Sequence, residues 1–294
     1  MRVAALTLAG IKLKSIDQYQ ADLDYLLKAS GNDLVVLPAY SSLLLGLETG
    51  AITYYNDFDS TLRGYLAQNE DWHNLFLNLH SSLAAEFGIY LVCGTTVEKP
   101  IGKNDGKLAD FFYQTAYCFN PDGELCCRQR QTHLTHDERE LGFSRGEELN
   151  IFTAGDLQVG LVVGNDARHP EVGRIFALRG ADLLLHSGAF KSGLNCWPQA
   201  AGMWAQVQQN QCWAVEAQLS ANIAGRKFGA SPAVIGPCEI TPGQSGYIAR
   251  GYPESPIVTA ELDNQARQSI KKKYPLLRML IPHVYSALQG SRNR

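Results

Sequence analysis

Four histidines, His133, His136, His169 and His186, share the middle of the chain with Asp166. Imidazole and carboxylate are metal-ligand types, but no HxH or HExxH segment is present. His133 and His136 fall in a stretch that reads as loop or a first helical turn. These histidines are therefore expected to pack behind a site, and no metal or cofactor is expected. Cys196 follows the segment that ends at His186, with Glu138 upstream. Such a trio would form a relay in which imidazole takes the thiol proton and the thiolate attacks an electrophilic carbon. The plainer reading is a half-buried cysteine at the start of a helix. Asp166 and Arg168 read as a charge pair bracing a strand-to-helix turn. GRKFGAS at 225–231 lacks the spacing of a phosphate-binding loop, and the basic run KKKYPLLR at 271–278 reads as a solvated helix face.

The elements that position these residues follow from apolar periodicity and turn signals. Strands are predicted at 2–8, 33–38, 89–96, 157–163 and 182–186, and again at 219–224, 233–235 and 257–262. The run DLVVLP at 33–38 is apolar throughout, as in a sheet covered on both faces. Residues 111–119 and 124–131 flank Pro121-Asp122-Gly123 and read as a hairpin. Helices are predicted at 16–29, 70–87, 168–179, 195–218 and 271–280. Alternation of strands and helices predicts one α/β domain over residues 1–286 with a tail at 287–294.

The chain has 294 residues, 45% of them hydrophobic and 19% charged, with 26 Lys and Arg against 29 Asp and Glu, a net charge of −3. This excludes a disordered chain and leaves no basic excess for nucleic acid. No apolar run approaches the roughly 18 residues of a membrane span, and MRVAALTLAG has no long apolar core of a leader. Seven cysteines form no CxxC pair, so neither a zinc cage nor a disulfide framework is expected. The expectation is a cytoplasmic protein with no nucleic-acid or membrane partner.

Five stretches in order resemble the nitrilase, or carbon–nitrogen hydrolase, superfamily: MRVAALTLAG, DLVVLPAY at 33–40, RQRQTHLTHDERELGFSRGEEL at 128–149, VGLVVGNDARHPEVGRIFALRGADLLLHSGAF at 159–190 and QNQCWAVEAQLSANIAGRKFGASPAVIGP at 209–237. The resemblance implies a four-layer αββα sandwich, paired as an αββα–αββα homodimer. It also implies hydrolysis of amides or nitriles by a Glu–Lys–Cys trio. The thiolate attacks, the carboxylate moves the proton, and the ammonium with a backbone N–H stabilises the developing charge.

Residue by residue, the motif that carries the base reads Leu37-Pro38-Ala39 here. The motif that carries the lysine reads Arg130-Gln131-Thr132-His133-Leu134, and the nucleophile motif reads Gly164-Asn165-Asp166-Ala167-Arg168-His169-Pro170-Glu171. Ala39, Gln131 and Gly164 thus stand where the resemblance implies the trio. Glu138 falls where many members carry a further glutamate that positions substrate. The expectation is a pseudoenzyme whose cleft keeps a small amide or amine ligand, contacted by Glu138, His133, Asn165, His186 and Cys196. Two alternatives stay open: a hydrolase that uses other residues, and a non-catalytic partner of an active paralogue. Pairing in the family uses the helices that correspond to 172–178 and 195–218, the second rich in Trp197, Met203, Trp204 and Trp213.

Overall fold

A computed structural model describes residues 1–66, 70–99, 103–104, 107–108, 112–193 and 197–286. The strands are β1 (Arg2–Leu6), β2 (Leu34–Val36), β3 (Tyr90–Glu98), β4 (Lys103–Asn104), β5 (Lys107–Leu108), β6 (Tyr113–Phe119), β7 (Leu125–Arg130), β8 (Ile151–Ala154), β9 (Leu157–Val163), β10 (Leu183–Gly188), β11 (Trp213–Gln218), β12 (Ser220–Ile223), β13 (Arg226–Gly229), β14 (Ala233–Ile235), β15 (Tyr247–Arg250) and β16 (Ile257–Glu261). The helices are α1 (Ile16–Ser30), α2 (Ser41–Glu48), α3 (Phe58–Leu66), α4 (Glu70–Phe87), α5 (His136–Glu140), α6 (Pro170–Leu178), α7 (Trp197–Gln199), α8 (Ala205–Asn210) and α9 (Asn264–Lys273).

Two six-stranded sheets carry the fold, ordered β16-β1-β2-β3-β6-β7 and β15-β14-β11-β10-β9-β8. In each, three central strands run parallel: β1, β2 and β3 in the first, β9, β10 and β11 in the second. The alternation of side chains along each strand divides the core into three layers. Val3, Ala5, Leu34, Val36, Val159 and Leu161 fill the space between the sheets. Ala4, Leu6, Val35 and Leu37 turn the other way, toward α1 and α4. Val162, Leu184 and Ala214 face α6 and α8, where Val172, Phe176 and Val207 meet them. The expected αββα sandwich is the observed one.

Local chemistry sets the helix limits. Ser15 caps α1 by accepting from the Gln18 amide, and left-handed Gly31 closes it. Tyr19, Leu23 and Leu27, four residues apart, form its buried face. The helix expected at 168–179 starts at Pro170, after a short 3-10 turn from Gly164 to Arg168, because extended His169 precedes a proline that supplies no N–H.

The helix expected at 195–218 is instead two structures. Described helical residues run from Trp197 to Asn210, with a kink at Gly202, and left-handed Gln211 ends them. Residues 213–218 are strand β11, buried at every position, so no periodicity marks it. Trp213 therefore lies in the sheet under Arg267, Met203 is buried, and the Trp204 indole donates to the Ser245 carbonyl. The aromatic load is not one helix face. Basic residues 271–273 end α9 rather than beginning a helix, and α2 and α3 were not expected. The tail at 287–294 lies outside the described residues. Among the described residues no helix is long and apolar enough to cross a membrane.

Candidate functional site

The parallel strands end on one side of the sandwich, and the turns after them build a cleft of about 460 Å3. Ala39 follows β2, Gly164 follows β9, and Gln131 follows β7. The Ala39 amide donates to the Gly188 carbonyl at 3.2 Å, tying the turn after β2 to the end of β10 across the two sheets. Gly94, at φ +79° in a bulge of β3, makes room for that turn: a Cβ there would lie 2.2 Å from the Pro38 carbonyl oxygen.

Gly164 has a left-handed φ of +51°, and a Cβ placed on it would lie 2.7 Å from Gln131 Oε1. The Gln131 amide thus occupies the space a side chain at 164 would enter. Its orientation is fixed by its own partners. Nε2 donates to Glu138 Oε2 at 2.8 Å and to the His133 carbonyl at 3.0 Å, and a flipped amide would set its oxygen against two acceptors. Gln131 Oε1 is buried without a donor among the described residues.

Glu138 is held by helix chemistry. Thr135 and Glu138 form a capping box at the start of α5, with the Thr135 amide and hydroxyl both donating to Glu138 Oε2, at 2.7 and 3.0 Å. Glu138 is only 8% exposed and lines the cleft. Burial raises its pKa above the usual carboxylate range, hydrogen bonds from Thr135 and Gln131 pull it partly back, and the Asp166 charge adds to the rise. Among the described residues no donor meets its Oε1.

The expected cations beside Glu138 are engaged elsewhere. Arg130 is bidentate to Glu98, at 2.6 and 3.0 Å. His133 gives its backbone amide and Nδ1 to Asp166 Oδ1, at 2.7 and 3.0 Å, and its ring stacks on His169 at 3.9 Å between centroids. Desolvation and the neighbouring His133 lower the pKa of His169. Asp166 therefore braces the Thr132–His133 turn, not Arg168 as expected; Arg168 lies over the Trp197 ring at the cleft wall.

Of the other expected contacts, Asn165 lines the cleft while its Nδ2 donates to the His133 carbonyl at 3.2 Å. His186 is fully buried: Nδ1 faces Glu216 Oε1 at 3.2 Å and Nε2 faces the Gly164 carbonyl at 3.1 Å. It makes no hydrogen bond to Glu138, so the relay through His186 to Glu138 is not built. Cys196 lies outside the described residues. None of the six described cysteines lines the cleft. No cluster of three or more ligand types that could hold a metal occurs among the described residues.

Sequence reasoning missed most of the walls. Tyr40, Phe58 and Phe228 form a ring cluster with centroids 5.6–5.9 Å apart, and the Arg226 guanidinium lies 4.0 Å over Phe58. Arg226 and Phe228 both line the cleft; their two-residue spacing on β13 was legible in GRKFGAS. Gln114, on β6, joins the lining, and its Oε1 is buried without a donor among the described residues.

Residues 15–272 match the family described as carbon-nitrogen hydrolase. The omega-amidase NIT2-B of Xenopus laevis is 26% identical over 217 residues, 71% of this chain and 74% of the relative. Omega-amidase NIT2 of Bos taurus is 27% identical over 205 residues, 67% and 69%. Among solved structures, Nit3 of Saccharomyces cerevisiae, a member of the nitrilase superfamily, superposes with a TM-score of 0.74 at 22% identity over 94% of each chain. A carbon-nitrogen hydrolase from Helicobacter pylori gives 0.73 at 19% identity, covering 100% of this chain and 97% of that one. The sandwich, the cleft at its strand ends and these matches agree: the chain belongs to the carbon–nitrogen hydrolase family.

Proposed function

We propose that this chain is a carbon–nitrogen hydrolase relative that retains the family's cleft as a small-molecule binding site and does not hydrolyse amides or nitriles. The observation that carries this is the contact at Gly164. Where the resemblance implies a nucleophile there is no side chain, and the Gln131 amide oxygen takes up its space. Ala39, where the resemblance implies a base, has nothing to move a proton with. A neutral amide replaces the implied ammonium at Gln131. Members of such a trio act as a unit, so losing the nucleophile alone removes most of the rate.

The substitutions are also mutually consistent. A carboxylate at 39 without an ammonium at 131 would be a further desolvated charge beside Glu138, which is costly. Losing both charges together leaves Glu138 in contact with a neutral amide. The aromatic walls, with a few convergent polar groups, are those of a binding pocket.

The test is ammonia release from a series of small ω-amides by purified protein. The expected result is a rate equal to the buffer blank. Ammonia release that exceeds the blank and scales with protein would contradict the proposal.

A further inference from the structure

Three cysteines meet at the start of β7, the end of that strand away from Gln131. Cys118 on β6 stands opposite Cys127 and Phe119 stands opposite Leu125, so Cys126 is the extra residue of a β-bulge. Regular alternation would send Cys126 and Cys127 to opposite faces of the sheet. The bulge cancels it, and Cys118, Cys126 and Cys127 all pack against the core between the sheets. The Cys126 thiol donates to the Cys118 carbonyl at 3.2 Å, which sets its sulfur beside Cys118.

Their surroundings differ. β7 is the edge strand of the first sheet, and Cys126 is half-buried there, whereas Cys118 and Cys127 are buried. Among the six described cysteines, Cys126 alone has its pKa pulled below the usual thiol value, by hydrogen bonding to the Cys118 thiol and against the effect of burial. Burial pushes Cys93, Cys127 and Cys212 up to about 12 and raises Cys118 and Cys238 as well. Cys238, the other half-buried thiol, lies outside the core that the three share. An accessible thiol that ionises readily, with a second thiol beside it, is the arrangement of a redox-reactive pair.

We propose that Cys126 is an oxidation site for hydroperoxides and that Cys118 is its resolving partner. The Cys126 thiolate attacks the peroxide, the O–O bond breaks, and the departing alkoxide takes up the thiol proton as an alcohol, or as water from hydrogen peroxide. The Cys118 sulfur then attacks the Cys126 sulfenic acid, whose hydroxyl leaves with the Cys118 proton as water. The two sulfurs together lose two electrons to the peroxide and end as a disulfide. Cys127 is the poorer partner, because neighbouring Cα atoms are only about 3.8 Å apart and ordinary disulfides span about 4.4–6.8 Å. Cys118 faces Cys126 from the opposite strand, where separations are about 4.5–5.5 Å.

The test treats the reduced, purified chain with a small excess of hydrogen peroxide, blocks the remaining thiols with N-ethylmaleimide and digests the denatured protein after Glu124, which separates Cys118 from Cys126. Mass spectrometry should find a Cys118–Cys126 disulfide formed ahead of oxidation at any other cysteine, Cys196 included, and reversed by dithiothreitol. Cys118→Ser should leave a sulfenic acid on Cys126 that dimedone captures. Cys127→Ser should leave the disulfide yield within twofold, and Cys126→Ser should cut oxidation of Cys118 at least tenfold. Oxidation of Cys238 or Cys196 ahead of Cys126, or a disulfide joining Cys118 to Cys127, would overturn the proposal. So would a Cys126 that stays reduced, a result read on the parent chain whether or not the variants fold.

Discussion

Two buried glutamates lie close to Gly164, and they are treated differently. Glu216, on β11, is fully buried and saturated on both oxygens. Oε1 meets His186 Nδ1 and accepts from Gln218 Nε2 at 2.9 Å; Oε2 accepts from Gln199 Nε2 at 2.8 Å. The far side of His186 reaches the Gly164 carbonyl, so this network props the backbone of the floor from below. Glu138 is almost as buried, but all its hydrogen bonds gather on Oε2. A carboxylate satisfied on both oxygens belongs to the scaffold. One satisfied on a single oxygen, with the other toward a cleft, is poised for something the chain does not supply.

Removing the saturated glutamate should have the largest effect. Glu216→Leu strands the donors of His186, Gln199 and Gln218 in the core and is expected to cost about 3–5 kcal/mol in urea unfolding. A loss below about 1 kcal/mol would make the network incidental.

Gly164 links the two regions. Gly164→Ala puts a Cβ into a left-handed backbone and against Gln131 Oε1, at an expected cost of about 1–3 kcal/mol. Part of that cost should return when Gln131 is also changed to Ala, and the double-mutant cycle measures the part due to contact. Strict additivity would mean that the amide does not fill the space beside Gly164.

Glu138→Gln should be milder, within about 1 kcal/mol in unfolding, because glutamine still completes a capping box. Stability preserved at Glu138 and lost at Glu216 is the signature that separates the two.

The smallest effect is a slope with pH. Burial raises the folded pKa of Glu138, so the fold binds its proton more tightly than the unfolded chain does. The stability tied to this group is fully present below the ordinary carboxylate range and is lost as pH rises through the raised folded value. Subtracting the stability curve of Glu138→Gln from that of the parent should isolate a difference falling with pH across that window. A flat difference would remove the desolvation argument.

Much of this was legible in the chain because it is written in local pattern. The segments ending at Ala39 and Gly164 are short apolar runs, the one ending at Gln131 is the second arm of the hairpin at Pro121-Asp122-Gly123, and the fold brings their ends around one cleft. What stayed hidden depends on contacts distant in sequence. Strand β11 has every side chain buried, so it shows no alternation and passed for a helix. The Asp166 partners, Thr132 and His133, lie more than thirty residues upstream, whereas Arg168 was merely close by. The aromatic wall draws Tyr40, Phe58 and Phe228 from three separate segments. The unpaired oxygen of Glu138 appears only once its three donors are seen to share the other one.

The most direct test is to expose the purified chain to an activated acyl ester and map any adduct by mass spectrometry, peptide by peptide, including the one that carries Cys196. The account predicts no acylated residue in the cleft beyond the exposed amine of Lys191. An acyl group on Cys196, or on any residue lining the cleft other than the exposed amine of Lys191, would show that a nucleophile converges there and would contradict it.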